Sequence, residues 1–509
     1  MPASLPSYPL RIGDLLRRNA ALQPDAVAAS LGDETLSHGA LDRLGNRAAR
    51  SLAALGVGRG DRVAVWSDTA LTVLPLFAAC SKLGAAFAPV NARLEAGEAR
   101  EVVRLARPAL LVSDAVHAEA AATLCAGSGG LRHACLEAAA PEGAVSLCSD
   151  ALDPDASAYE DPELRETDPH VIFFTSGSTG RPKGVVLSHR ANYLRSFQGV
   201  FRDVPERSVC MFPLFHMAAF TLALSAWQTR GEIAFVREAS AAEILSAVER
   251  RRANRLYCIP LVWRRILEEP ADRYDLSSLR ELDTGTQAVA PELVHELKRR
   301  FPGTATRIYY GSTEAGSGTS LADADVLRKP GSVGPPAPGV DLKLEDGEIC
   351  LRSAYLADGY FDAPEATAAA WRDGWFHTGD LGELDDEGHL QVVGRARDLI
   401  RSGGESVAPS EVEAVLALHP AVVDVAVVGL PDADWGEVVC AVVVAAEGAT
   451  PELAALQHFC EGRLAGFKKP RRLALAEAIP RTTATSQVQR PLLVEQLQGG
   501  ELPVRERTR

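Results

Sequence analysis

An α/β architecture of two or more domains is predicted by three observations. The chain has 509 residues, more than one hydrophobic core usually holds. Strand-length apolar runs alternate with segments of helical spacing through its first two-thirds, the pattern of largely parallel sheets covered by helices. Past the Pro/Gly-rich stretch Gly331–Gly339 the pattern changes to short antiparallel strands, and past Gly394 it changes again to a compact α+β unit of about 110 residues.

Each element follows from its local pattern. Ala40–Leu55 carries apolar residues at helical spacing, Arg62–Trp66 reads as a short strand, Leu71–Leu83 as a helix ending near Gly84, and Ala109–Val112 as a strand. Residues 126–160, rich in Ala, Gly, Asp and Ser, read as surface. Strands are expected at Val171–Phe174, Val185–Leu187, Arg255–Ile259 and Arg307–Tyr310, with helices at Ala241–Arg252 and Pro291–Arg300. Val340–Leu344, Glu348–Arg352 and His389–Val393 then suggest a small β-barrel or sheet appended to the α/β body. Beyond the Asp/Arg-rich junction Gly394–Asp398, the expected order is helix Pro409–Leu418, strands Val422–Val428 and Val438–Ala445, and helix Pro451–Leu464.

Composition narrows the function classes. With 53 basic and 67 acidic residues the net charge is −14, the opposite of the concentrated basic surface that nucleic acid requires. No apolar stretch reaches the ~18–20 residues that span a bilayer, and the first nineteen residues lack the apolar core of a signal peptide. The nine cysteines are scattered without a CxxC pair, as expected for reduced thiols of a cytoplasmic protein with no disulfide or metal role.

The densest chemical signal is Thr175-Ser-Gly-Ser-Thr-Gly-Arg-Pro-Lys-Gly184, directly after an apolar run. Gly177 and Gly180 let backbone N–H groups approach an anion closely. Thr175, Ser176, Ser178 and Thr179 add hydroxyl donors, and Arg181 and Lys183 add positive charge. The combination points to a nucleoside triphosphate, although the spacing is not that of the GxxxxGK[ST] loop; a Gly/Ser-rich surface hairpin is the plainer alternative. Tyr310-Gly311-Ser312-Thr313-Glu314 ends a strand with two hydroxyls and a carboxylate. Strand ends of α/β sheets are where ligands bind; Glu314 offers the hard oxygen that Mg²⁺ prefers, and a helix N-cap box is the alternative. The Thr378-Gly-Asp380 run places a carboxylate after a glycine, suited to ribose hydroxyls or to an ordinary turn.

These segments, with Phe212–Met217, Thr284–Gln287, Gly394-Arg395 and Arg401–Ser406, resemble the motifs of the adenylate-forming superfamily in the correct order, over roughly Asp25 to Arg490. The resemblance is strongest to AMP-dependent acyl-CoA synthetases. It implies a large N-terminal domain of stacked βα subdomains plus a small β-barrel (residues 1–394), a hinge at 395–398 with Arg397 as its pivot, and a smaller mobile α+β domain at 399–509. It implies ATP contacts at Thr175–Gly180, Gly285, Thr286, Tyr310, Gly311, Ser312, Asp380 and Arg395. Lys183, Thr313 and Glu314 would handle phosphate and Mg²⁺, and His216 would gate the acid. Ser402, Gly403 and Gly404 would line a tunnel for the thiol arm of coenzyme A. The implied reaction joins a carboxylic acid to CoA through an acyl-adenylate. The family includes both monomers and homodimers.

One departure stands out. The family ends in PRTxxGK, whose lysine bridges acid and α-phosphate, but here Pro480–Arg490 places Gln487 at that position, with one extra residue ahead of it. An amide supplies no positive charge, a loss on the order of 3–4 kcal/mol of barrier. Three expectations follow: a slowed first step, a substitute cation among Arg481, Arg490, Lys468 and Lys469, or a nucleotide-binding pseudoenzyme. Transfer of the acyl group to a carrier-protein thiol or an amine is the other enzymatic alternative. The lining expected from Phe215, His216, Ala218, Ala219, Phe220, Trp227, Thr286, Gln287 and Tyr310 is mostly apolar, which favours a fatty or other hydrophobic acid, with an aryl acid close behind.

Overall fold

A computed structural model describes residues 9–176, 182–197, 203–270, 272–482 and 487–506. Two eight-stranded sheets carry most of it. The first runs in the order Gly316–Leu321, Ala305–Ser312, Glu281–Gly285, Arg255–Tyr257, Arg207–Cys210, Glu232–Phe235, Val27–Leu31, Glu34–Ser37. Its interior pairings are parallel, and the two edges are closed by antiparallel partners. Parallel neighbours need crossovers, which the helices Ala241–Arg251, Pro260–Glu268 and Pro291–Arg300 provide.

The second sheet runs Gly359–Tyr360, Pro182–Ser188, Pro169–Ser176, Ala86–Val90, Arg62–Trp66, Leu110–Ser113, Arg132–Cys135, Val145–Ser146. Ala86–Val90 and Leu110–Ser113 are buried along their whole length, so they read as continuous apolar runs rather than alternating ones. Helix Leu74–Leu83 is likewise buried on every face; Pro75 starts it and Gly84, at φ 77°, ends it. One core joins both sheets. At its centre Phe220 stacks on Phe77 at 4.5 Å and meets Phe87 edge-on at 5.3 Å. Each such buried ring contributes ~1.5–3 kcal/mol of transfer free energy.

A five-stranded antiparallel sheet stands where the small barrel is expected, built from Val340–Glu345, Glu348–Ser353, Trp371–Arg372, Trp375–Leu384 and Leu390–Arg395. The last part of the chain forms a further mixed sheet with Gly436–Ala445 at its centre and Val422–Asp432 paired along it, covered by helices Pro409–Leu416 and Arg490–Gln498. The fold is thus α/β, with strands and helices mixed in the C-terminal part as well.

Three local expectations change. Residues 126–160 are not featureless surface: Arg132–Cys135 and Val145–Ser146 extend the second sheet, and Leu136, Leu147 and Leu152 are buried. The segment Leu71–Leu83 opens with a 3₁₀ turn at Leu71–Val73 before its α-helix. The helix expected over Pro451–Leu464 is confined to Leu453–Phe459. Among the described residues, no helix is long and apolar enough to cross a membrane.

Candidate active site

The glycine-rich run joins two antiparallel strands. Thr175 lies opposite Lys183 and Ser176 opposite Pro182, so the run is a hairpin connection and not a strand-to-helix loop. Gly177, Ser178, Thr179, Gly180 and Arg181 lie outside the described residues, as does the side chain of Ser176. Lys183 rests with Nζ 4.8 Å from the centre of the Tyr360 ring. Gly184 is required by close packing, since a Cβ there would come within 2.9 Å of Ile172.

The run Tyr310–Glu314 turns the corner between strands Ala305–Ser312 and Gly316–Leu321. The helix N-cap alternative is therefore excluded: Ser312 Oγ accepts from Ala315 N at 3.1 Å inside a hairpin turn. Gly311 faces the carbonyl of Gly316 so closely that a Cβ would collide with it. The half-exposed Glu314 carboxylate accepts one hydrogen bond from the Tyr360 hydroxyl, at 3.0 Å to Oε1. Its backbone carbonyl accepts from Ala357 N at 2.7 Å. Behind the turn the buried Arg195 donates to the carbonyls of Thr313 at 3.1 Å and Tyr355 at 2.7 Å. Burial lowers the Arg195 pKa to about 10. Neither Tyr360 nor Arg195 is signalled in the sequence, because each reaches this turn across a long stretch of chain.

Asp380 sits at the junction of the five-stranded sheet with this turn. Its Oδ2 accepts from the Tyr310 hydroxyl at 2.7 Å, and its Oδ1 pairs with Arg395 Nε at 3.1 Å across the Asp380–Arg395 register. Burial pushes the Asp380 pKa up, against the opposing pull of Arg395 and the Tyr310 hydroxyl. Thr378 Oγ1 accepts from Asp380 N at 3.1 Å and fixes the carboxylate's approach.

On the acid side, His216 caps helix Met217–Gln228: its Nδ1 accepts from Ala218 N at 3.1 Å. The ring stacks on Phe212 at 5.2 Å, and burial holds its pKa at about 4, so the imidazole is neutral at pH 7. Phe212 lies 5.6 Å from the Tyr257 ring, which stacks on Tyr309 at 6.2 Å. Gly285 passes over this aromatic row; a Cβ there would stand 2.9 Å from the Tyr257 hydroxyl and would collide with the Tyr309 carbonyl. Thr286 follows at φ 65°, a left-handed conformation that costs a β-branched residue about 1–3 kcal/mol. Ala219, Phe220 and Trp227 do not line the space as expected. All three are buried in the core, and Trp227 Nε1 donates to the carbonyl of Ala28 at 2.9 Å.

In the C-terminal part, Arg397 Nε lies 3.4 Å from Asp398. Ser402 is buried, and Gly403 and Gly404 make the turn into strand Glu405–Val407 at φ 62° and 86°. A Cβ on Gly403 would stand 2.5 Å from the Trp435 ring. Gln487 is exposed; its N donates to Thr482 Oγ1 at 3.0 Å and its carbonyl accepts from Thr482 N at 2.7 Å. Residues 483–486, including Ser486, lie outside the described residues. Each expected substitute cation faces a carboxylate: Arg481 bonds Asp424 at 2.7 Å, Arg490 Glu413 at 2.6 Å and Lys468 Glu411 at 2.6 Å, while Lys469 lies 3.9 Å from Glu461 as a looser ion pair.

Two other features stand apart from these residues. A surface cleft of about 320 Å³ is walled by Tyr274, Arg280, Arg300 and Thr304 and contains none of them. Cys350, His377 and Glu345 bring a thiol, an imidazole and a carboxylate within 4.8 Å of one another. Lys343 already pairs with Glu345, and Arg372 donates to His377 Nδ1, so the patch is neutralised by protein cations.

Hydroxyls and carboxylates thus gather where the strands of the large sheets end, the place at which α/β enzymes as a class take their ligands. A family model of the AMP-binding enzymes matches residues 16–361, and a model of the AMP-binding enzyme C-terminal domain matches 411–485. The chain belongs to the AMP-binding enzyme family. It is 35% identical to a feruloyl-CoA synthase of Amycolatopsis sp, over 91% of this chain and 95% of that one. It is 32% identical to the long-chain-fatty-acid–CoA ligase FadD13 of Mycobacterium tuberculosis, over 95% and 98%. Among solved structures, ATP-bound MatB from Rhodopseudomonas palustris superposes with a TM-score of 0.85 at 30% identity, covering 95% of this chain and 98% of that one. The protein is therefore similar throughout to acyl-CoA ligases.

Proposed function

We propose that the protein activates a hydrophobic carboxylic acid with ATP and transfers the acyl group to coenzyme A. The observation that carries this reading is the convergence at Tyr360. Its ring faces the ammonium of Lys183 and its hydroxyl bonds Glu314, so the hairpin of one sheet and the strand end of the other meet at one place. In this reading Thr175–Gly180 and Lys183 receive the triphosphate, and Gly285, Thr286, Tyr310, Gly311 and Ser312 receive the base and α-phosphate. Thr313 donates to a phosphate oxygen. Asp380 and Arg395 take the ribose, since a carboxylate oxygen retains a lone pair after one bond.

The residues fit a Mg²⁺ ion. Glu314 offers a half-exposed carboxylate of which only Oε1 is bonded among the described side chains, the hard oxygen donor that the ion takes. Glu314 would hold it, and bound there it would neutralise charge on the phosphate oxygens. The carboxylate oxygen of the acid attacks the α-phosphorus and pyrophosphate leaves. The thiolate of CoA then attacks the acyl carbon, and AMP leaves. The protein's contribution is orientation and fixed charge. Neutral His216 screens the acid from water, Arg397 serves as the hinge between residues 1–394 and 399–509, and Ser402, Gly403 and Gly404 border the path of the thiol arm.

The half-buried aromatic pair Tyr257 and Tyr309 supports a hydrophobic acid, fatty or aryl, and the two named relatives act on acids of both kinds. A second reading, a nucleotide-binding protein with little first-step turnover, is favoured by one observation: at the uncharged Gln487, each of the four candidate substitute cations is already paired with a carboxylate.

Acid-dependent ATP–pyrophosphate exchange over a panel of fatty and aryl acids tests both readings. Exchange with a hydrophobic acid is the expected outcome, raised on the order of 100–1,000-fold in Gln487→Lys by the restored charge-assisted contact. Silence of the parent chain with every acid, against activity in the lysine variant, would establish the second reading. CoA-dependent release of AMP identifies the acceptor as CoA rather than a carrier protein or an amine.

A further inference from the structure

We infer that Tyr360 is a positioning residue that aligns Lys183 and Glu314 for Mg²⁺·ATP, its ring acting on one and its hydroxyl on the other. The inference rests on the assignment of Lys183 and Glu314 to ATP made above. Lys183 and Glu314 come from different sheets, and no bond between them exists among the described residues. Tyr360 is the element they share: Lys183 Nζ lies 4.8 Å from its ring centre, and its hydroxyl donates to Glu314 Oε1 at 3.0 Å.

The ring can act as a reference point because it is held from several sides. Tyr360 pairs with Val185 in strand Pro182–Ser188, the strand that carries Lys183. On either side of it, Asp358 N donates to the carbonyl of Val186 at 2.9 Å and Phe361 N to that of Gly184 at 2.7 Å. Tyr360 N donates to Thr367 Oγ1 at 3.0 Å, and the Trp371 ring meets the tyrosine edge-on at 5.4 Å. A lysine is a flexible stem ending in a point charge; the ring face draws that charge to one location. A carboxylate that accepts one hydrogen bond has its rotation fixed, and partners of this kind tune metal affinity by roughly 10–100-fold. The two functions separate chemically. Phenylalanine keeps the ring and removes the hydroxyl, and leucine removes both.

The test is calorimetric binding of ATP to the full chain at a series of Mg²⁺ concentrations, with Tyr360→Phe, Tyr360→Leu, Glu314→Gln and Lys183→Met compared after thermal melts establish that each is folded. Tyr360→Phe is expected to raise the Mg²⁺ concentration for half-maximal ATP binding roughly 10-fold and to leave ATP affinity at saturating Mg²⁺ unchanged. Tyr360→Leu is expected to add a loss of about 2–5-fold at saturating Mg²⁺, from Lys183. A parent-like Mg²⁺ dependence in Tyr360→Phe, with a shifted one in Glu314→Gln, overturns the role of Tyr360 alone. Equal behaviour of the phenylalanine and leucine variants overturns the role of the ring. An unmoved Mg²⁺ dependence in Glu314→Gln means that the metal assignment itself is wrong, and the inference falls with it. Turnover enters none of these readouts, so Gln487 does not bear on them.

Discussion

Two groups of cations differ in how they are held. On the large sheets, Lys183 faces an aromatic ring and makes no ion pair among the described residues. In the C-terminal part, Arg481, Arg490 and Lys468 are each bonded to a carboxylate, and Lys469 is ion-paired with one at 3.9 Å. An ammonium held over a ring can bond a phosphate while keeping its place, because no carboxylate neutralises its charge. An arginine clamped between a carboxylate and the backbone, as Arg490 is through Glu413 and the carbonyl of Val427, must abandon both to move. Of these five cations, the one with no carboxylate partner among the described residues is therefore on the hairpin side, and the other four hold the local fold.

Substitutions can break or sharpen that contrast. The largest expected effect is in Lys183→Met, which should lower ATP–pyrophosphate exchange by a factor of hundreds, about 3–4 kcal/mol of barrier, while the melting temperature stays close to the parent's. An exchange rate within threefold of the parent would put the working cation elsewhere. Next in size is a pH effect from a group enclosed without a counter-charge. Burial holds the His189 pKa at about 4 against an ordinary 6.5; Nδ1 accepts from Ile12 N at 3.3 Å, and the ring stacks on His170. Its folded pKa is depressed, so its share of stability is complete above pH 6.5 and is lost as pH falls through about 4, where it amounts to about 3 kcal/mol. Melting temperatures of parent and His189→Gln from pH 7 to pH 4 should show a shallower acid decline in the variant. The smallest effect belongs to Arg481→Gln. Its half-exposed pair with Asp424 should cost about 0.5–1 kcal/mol in denaturant unfolding, with exchange changed less than twofold. A collapse of exchange there would identify Arg481 as the stand-in for the missing lysine.

The parts legible in sequence are those whose signal is short-range. Val171–Phe174 and Val185–Leu187 flank the glycine-rich run and predict its two strands, and Tyr310–Glu314 carries strand, turn and carboxylate in five residues. Tyr360 is not legible: it meets Glu314 across 46 residues, as Arg195 meets Thr313 across 118. Each contact is set by which elements the two sheets bring together, Tyr360 from an edge strand and Arg195 from helix His189–Ser196. The placement of Phe220 and Trp227 fails for a related reason. Helix Met217–Gln228 is apolar almost all round, so periodicity does not say which face meets the core and which the acid. Short strands such as Arg132–Cys135 escape because four residues in an Ala/Gly-rich setting carry too little pattern.

The two-residue strand Gly359–Tyr360 is the outermost member of its sheet. By covering Pro182–Ser188 it hides a row of backbone donors and acceptors that would otherwise template pairing with another molecule. The proposed alignment of Lys183 and Glu314 and the cover of this edge are joined in one segment. A chain in which it detaches would lose the alignment of Lys183 and Glu314 and, in the same event, expose an edge prone to self-association.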